Sequence, residues 1–148
     1  MGDQPQYGFD TLQIHAGSRP DPATGARQTP IYQTTAYVFR DADHAAALFN
    51  LQEVGYIYSR LTNPTVSVLQ ERIATLEGGV GAVGCSSGHA AQIMAIFPLM
   101  SPGANVVVST RLYGGSVTQF SNTIKRFGWS ATFVDFDDTD AIIAAADE

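Results

Sequence analysis

The stretch Val83-Gly84-Cys85-Ser86-Ser87-Gly88-His89 decides how the rest of the chain is read. The apolar run Val80–Cys85 ends in two serines and a glycine, and a helical pattern starts at once, with Ala90, Ile93, Met94 and Phe97 on one face. A strand that stops at such a turn opens the next helix with backbone N–H groups that have no intrahelical partner. The helix dipole favours negative charge at the same place, so the turn reads as a phosphate cup. Gly88 lets a ligand approach the backbone closely, and the N–H of His89 is expected to matter more than its ring.

Working outward, strand and helix signals alternate. Asn105–Ser109, with three consecutive valines, reads as a buried strand and Ala131–Phe136 as another, which with Val80–Cys85 makes about three. Between them Val117, Phe120, Ile124 and Phe127 form one helical face closed by Gly128, after a turn at Gly114-Gly115. Asp138 or Thr139 is positioned to cap a last helix. Upstream, Asn63-Pro64 is an N-cap followed by proline at the first helical position, Val66, Leu69, Ile73 and Leu76 make the buried face, and Gly78-Gly79 stops the helix. A shorter helix capped by Asp41 or Asp43 runs to about Leu51. Residues 1–40 show no sustained period, yet carry too many aromatics for plain disorder, and read as an extended arm lying on another surface. Strands and helices at this spacing imply an α/β chain, a mostly parallel sheet with helices on both faces.

Composition narrows the partners. The chain has 148 residues, 45% of them apolar, a formal charge of −6 and a pI of about 4.8. The eight basic residues are scattered, so no basic patch points to nucleic acid, and the acidic excess near residues 135–148 reads as solvated surface. The longest strongly apolar stretch, Ile93–Met100, is interrupted by Pro98 and falls far short of the ~20 residues that cross a bilayer, so no membrane association is expected. The single cysteine, Cys85, excludes an internal disulfide and is expected to be a small buried hydrophobe at the strand end. Met1-Gly2-Asp3-Gln4-Pro5 carries no apolar leader core. The expectation is a cytoplasmic protein. The final Ala144-Ala145-Ala146-Asp147-Glu148 stops in mid-pattern, which suggests the front part of a longer protein.

Four further features bear on chemistry. Gly79-Val-Gly81-Ala-Val-Gly84 matches the dinucleotide-binding glycine pattern literally, but it follows a helix instead of opening one, and Ala104 stands where an acid would be needed, so chance is the better reading. Tyr58 and Arg60, in a loop just before a helix, could hold a phosphate through a guanidinium fork and a phenolic hydrogen bond. Tyr113 follows the strand Asn105–Ser109, on the side of a parallel sheet where ligands bind, and its ring could stack on a planar group. His15, His44 and His89 have no metal-ligand spacing, and the single lysine, Lys125, falls on a polar helix face.

Five stretches together carry a resemblance: Phe9-Asp-Thr-Leu-Gln-Ile-His-Ala-Gly17, Thr29-Pro-Ile-Tyr-Gln-Thr-Thr-Ala36, Tyr58-Ser-Arg-Leu-Thr-Asn-Pro-Thr65, Ser86-Ser-Gly-His-Ala-Ala-Gln92 and Leu112-Tyr-Gly-Gly115. In this order they resemble the pyridoxal-phosphate (PLP) enzymes of trans-sulfuration. His89 and Thr62 stand where many members have Met and Gly, and the form with His89 looks most like the O-acetylhomoserine sulfhydrylase branch. The resemblance implies the N-terminal part of the large domain of a fold-type I PLP-dependent transferase. Residues 1–52 would be an arm with a short helix, and 53–148 the first part of the PLP-binding domain. It implies that Gly88 and His89 bind the cofactor phosphate through their N–H groups. Tyr58 and Arg60 would reach the same phosphate in a neighbouring subunit's site, within a homodimer-based homotetramer. Tyr113 would stack on the pyridine ring and take part in proton transfer near the leaving group.

The implied reaction is γ-replacement, in which O-acetyl-L-homoserine and sulfide give L-homocysteine and acetate. Alternatives are a methionine γ-lyase or cystathionine γ-synthase-like enzyme, or a non-catalytic interaction fragment. The family's cofactor-binding lysine sits in a Ser-x-Thr-Lys motif, which these residues lack, so the chain alone is expected to be inactive.

Overall fold

The computed structural model describes residues 7–146. The chain divides into two compact units, Met1–Gly84 and Cys85–Glu148. The expected arm boundary after residue 52 falls inside the first.

In the first unit, α1 spans Phe9–His15, α2 Ala42–Phe49 and α3 Pro64–Glu77. The caps read from the sequence are present. The carboxylate of Asp41 accepts from the His44 N–H at 2.7 Å and Asn63 Oδ1 accepts from the Thr65 N–H at 2.9 Å, while Gly78 closes α3 in the left-handed conformation at φ 67°. Helix α1 was not expected within the arm. Phe9 and Leu12 are one helical step apart, too short a run to show a period, and what holds the helix is docking on α3. Arg72 of α3 donates from Nε to the Ala16 carbonyl at 2.9 Å, capping the C-terminus of α1. Gly17 makes the approach possible: its φ is +72°, and a Cβ there would lie 2.7 Å from the Val68 carbonyl oxygen.

The expected strand Val80–Cys85 does not form. These residues carry no regular structure, no described backbone pairs with them, and Val80 and Val83 are exposed. β-branched composition expresses a preference for a pleated, half-buried surface; a strand exists only where a neighbour supplies the ladder. Cys85 is likewise exposed and not buried, with its thiol directed at the Ser87 carbonyl at 3.5 Å. Two strands, not three, are present among the described residues.

In the second unit, α4 (Gly88–Ile96) precedes β1 (Asn105–Ser109), α5 (Gly114–Ser121), β2 (Ser130–Val134) and α6 (Thr139–Ala146). The strands are parallel, in register from Asn105 opposite Ser130 to Ser109 opposite Val134, with α5 in the crossover. Val108, Phe120, Ile124 and Trp129 form the buried centre, against which Ile93, Ile96, Met100 and Phe133 pack. Pro98 converts the end of α4 into a 3₁₀ turn at Phe97–Leu99. The helix expected over Val117–Phe127 breaks at Asn122 into α5 and a 3₁₀ turn over Thr123–Phe127. That turn seats Ile124, which has no exposed surface, and Gly128 ends it at φ 76°. Gly114-Gly115 opens α5 and is not a turn before it. Asp138 caps α6, accepting from the Ala141 N–H at 3.0 Å, and Lys125 is exposed as expected.

Candidate cofactor site

In the second unit the N-termini of two helices converge. Ser87 is the N-cap of α4; its hydroxyl accepts from the Ala90 N–H at 3.2 Å. The Gly88 and His89 N–H groups then have no acceptor among the described residues. A Cβ at Gly88 would meet nothing within 4 Å, so the approach to these donors is open. Tyr113 occupies the N-cap position of α5 without a side-chain cap, leaving the Gly114 and Gly115 N–H groups in the same condition among the described residues. Free donors and dipoles at two adjoining helix N-termini favour an anion.

The rings of His89 and Tyr113 lie with centroids 6.0 Å apart at 44°. Gly115 sits beneath both: a Cβ there would come within 2.8 Å of His89 Cε1 and Nε2 and of Tyr113 Cε1. Tyr113 is 77% exposed, which leaves a ring face free for a planar ligand. The structure thus brings Gly88, His89 and Tyr113 together.

Behind them lies a polar network that sequence reasoning missed. Gln119 Nε2 donates to the His89 carbonyl at 3.2 Å and to Gln92 Oε1 at 3.1 Å, and Gln92 Nε2 donates to Ser116 Oγ at 2.8 Å. Ser116 and Gln119 are buried. The available signal was three polar residues on the inner faces of α4 and α5, where the core pattern calls for apolar ones.

In the first unit, Arg60 Cζ lies 5.2 Å from the centroid of the Tyr58 ring. Tyr58 is half-buried and pairs with Ala36 in an antiparallel bridge; Arg60 is exposed and has no carboxylate partner among the described residues. A cavity of about 200 Å³ opens beside Arg60, lined also by Ser59, Asn63 and Gln70. The loop is held by Asn63, which sequence reading treated only as a cap. Its Nδ2 also donates to the Tyr32 carbonyl at 2.9 Å, Ser59 Oγ at 2.9 Å and Tyr37 Oη at 3.2 Å. The structure therefore brings Tyr58 and Arg60 together, with the guanidinium over the phenol ring.

Residues 10–148 match the model of the Cys/Met metabolism PLP-dependent enzymes, and the chain belongs to that family. Its fold is that of the N-terminal part of a fold-type I PLP enzyme. Among individual relatives, it is 51% identical over 95% of its length to a homocysteine synthase of Schizosaccharomyces pombe. It is 54% identical over 84% of its length to O-acetyl-L-homoserine sulfhydrylase 1 of Thermus thermophilus. A crystal structure described as an O-acetylhomoserine (thiol)-lyase of Campylobacter jejuni, which carries a pyridoxyl-lysine 5′-monophosphate, superposes with a TM-score of 0.89 at 45% identity over 94% of this chain. The chain spans about a third of the length of these relatives: 33%, 30% and 34% respectively. Enzymes of the family use PLP and act on amino-acid substrates.

The residues present fit the phosphate and ring of that cofactor: open N–H donors at Gly88 and His89, and a free aromatic face at Tyr113. They do not supply its covalent attachment, since the single lysine is the solvated Lys125.

Proposed function

We propose that these residues are the N-terminal part of a PLP-dependent γ-replacement enzyme that makes L-homocysteine from O-acetyl-L-homoserine and sulfide. The observation that carries the reading is the juxtaposition of the unpartnered Gly88 and His89 N–H groups with the exposed Tyr113 ring over Gly115. Bound PLP supplies an electron sink for the carbanion chemistry of the amino-acid substrate. Gly88 and His89 bind its phosphate through their N–H groups. Tyr113 stacks on its ring, and the Tyr113 hydroxyl moves a proton near the leaving acetate. Tyr58 and Arg60 hold the phosphate in a neighbouring subunit's site, so a homodimer-based homotetramer is part of the proposal. So are a cytoplasmic location and a division into an arm at 1–52 and the first part of the PLP-binding domain at 53–148. No helix among the described residues is long and apolar enough to cross a membrane. The 148 residues alone are inactive for want of the lysine.

The test is an assay of the full-length protein with O-acetyl-L-homoserine plus sulfide, against methionine alone. Homocysteine and acetate in equal amounts are expected. Methanethiol and 2-oxobutyrate from methionine, without homocysteine from the acetyl ester, would replace γ-replacement by γ-elimination.

A further inference from the structure

We infer that Gln119 is a positioning residue that sets the spacing between the phosphate-binding N–H groups and the Tyr113 ring. The inference rests on the cofactor site proposed above. Both amide protons of Gln119 are committed, one to the His89 carbonyl at 3.2 Å and one to Gln92 Oε1 at 3.1 Å. Gln92 in turn donates to Ser116 Oγ at 2.8 Å. All three bonds run between α4 and α5, and each end of the network touches one side of the site. His89 supplies a proposed phosphate donor from the first turn of α4. Ser116 and Gln119 lie three and six residues after Tyr113 on α5.

The network admits one arrangement. Gln119 turned over would set its Oε1 against two oxygen acceptors, the His89 carbonyl and Gln92 Oε1. No buried side-chain polar atom among the described residues lacks a partner. A fully satisfied network between two helices specifies their register more sharply than apolar packing, because a small slide leaves buried polar groups unpaired. The slack it removes matters here. Gly115 leaves room for the His89 and Tyr113 rings and nothing more, so any slide of α5 along α4 moves the Tyr113 ring against the donors of α4. Gln119 is buried, with its side-chain bonds going to His89 and Gln92; it acts through His89 and Tyr113.

The test uses the full-length enzyme with Gln119→Leu, Ser116→Ala, Tyr113→Phe and the double variant Gln119→Leu/Tyr113→Phe. Thr118→Ala, on the exposed side of α5, is the control. Readouts are the PLP dissociation constant, kcat and KM separately, and thermal unfolding. Loss of two hydrogen bonds to a register-setting amide is expected to weaken PLP binding and lower kcat by about tenfold each in Gln119→Leu. KM for O-acetyl-L-homoserine stays near the parent value. Ser116→Ala shifts the same quantities in the same direction by about two- to threefold, and keeps the test open should Gln119→Leu not fold. The part of its kcat effect that runs through the Tyr113 hydroxyl disappears in the Tyr113→Phe background, so the losses in the double variant fall short of the product of the single ones. Parent-like PLP affinity and kcat in Gln119→Leu, or kcat losses that multiply in the double variant, would overturn the inference. Undiminished kcat in Tyr113→Phe alone would instead remove the catalytic role of Tyr113, and the PLP affinity of Gln119→Leu would still decide the positioning role.

Discussion

Replacing Asn63 should cost far more than the loss of a helix cap, and the structure says by how much. Its Oδ1 caps α3 through the Thr65 N–H, a bond whose loss costs about 1 kcal/mol. Its Nδ2 meets the Tyr32 carbonyl, Ser59 Oγ and Tyr37 Oη, and the residue is only 8% exposed. Removing that donor strands at least the Tyr32 carbonyl in a site water reaches poorly, which adds about 1–3 kcal/mol. Asn63→Ala is therefore expected to destabilise the loop by about 2–4 kcal/mol.

Asn63→Asp separates the two roles. It retains the cap but sets a carboxylate oxygen against the Tyr32 carbonyl. Its cost should be largest near neutral pH and shrink on acidification, because the protonated carboxyl can donate where the amide did. The sign is that of an acid whose folded-state pKa is raised, so stability is gained as pH falls. The assay is amide hydrogen exchange in the full-length protein over residues 30–37 and 58–66, which reads local opening free energies. The Tyr32 N–H, bonded to Thr65 Oγ1 at 2.9 Å, is the most direct reporter. An Asn63→Asp protein that exchanges like the parent at neutral pH would refute the reasoning, since the cap alone would then account for the residue.

Other expectations follow from the same structure. Gly115→Ala should change stability by no more than about 1 kcal/mol, because the atoms 2.8 Å from the new methyl are movable ring atoms and alanine favours the helix. Displaced His89 and Tyr113 rings should nonetheless lower kcat of the full-length enzyme by at least about tenfold, measured beside a thermal melt; parent-like turnover would exclude a ring-positioning role for Gly115. Ser87→Ala should destabilise α4 by about 1 kcal/mol and weaken PLP binding, read by urea unfolding and cofactor titration. The Asp21 carboxyl is held below its ordinary 3.8, chiefly by the Thr24 hydroxyl and N–H, with Tyr32 also donating. A depressed acid stabilises the fold above its unfolded-state value and loses that contribution as pH falls through the folded one. The 21–26 loop should therefore open only below about pH 3.8, and Asp21→Asn should flatten that acid transition in hydrogen exchange.

The sequence by itself determined the local punctuation of the fold. Asn63-Pro64, Asp41, Gly78 and Gly128 start and stop elements where the structure has them, because caps and left-handed closures depend on residues a few positions apart. The turn that leaves the Gly88 and His89 N–H groups without an acceptor among the described residues was legible for the same reason: these donors belong to one turn of one helix.

What needed the tertiary structure were facts about neighbours distant in the chain. Val80–Cys85 has the composition of a strand, yet pairing decides a strand, and no described partner pairs with it. Helix α1 exists because α3 receives it. Gln119, Gln92 and Asn63 look in sequence like ordinary polar residues. Their distant partners stand 24 to 31 residues away, and only folding brings a buried donor to the acceptor that gives it a role. Local conformational preference is written in adjacent residues, whereas register between helices is a property of the packed chain.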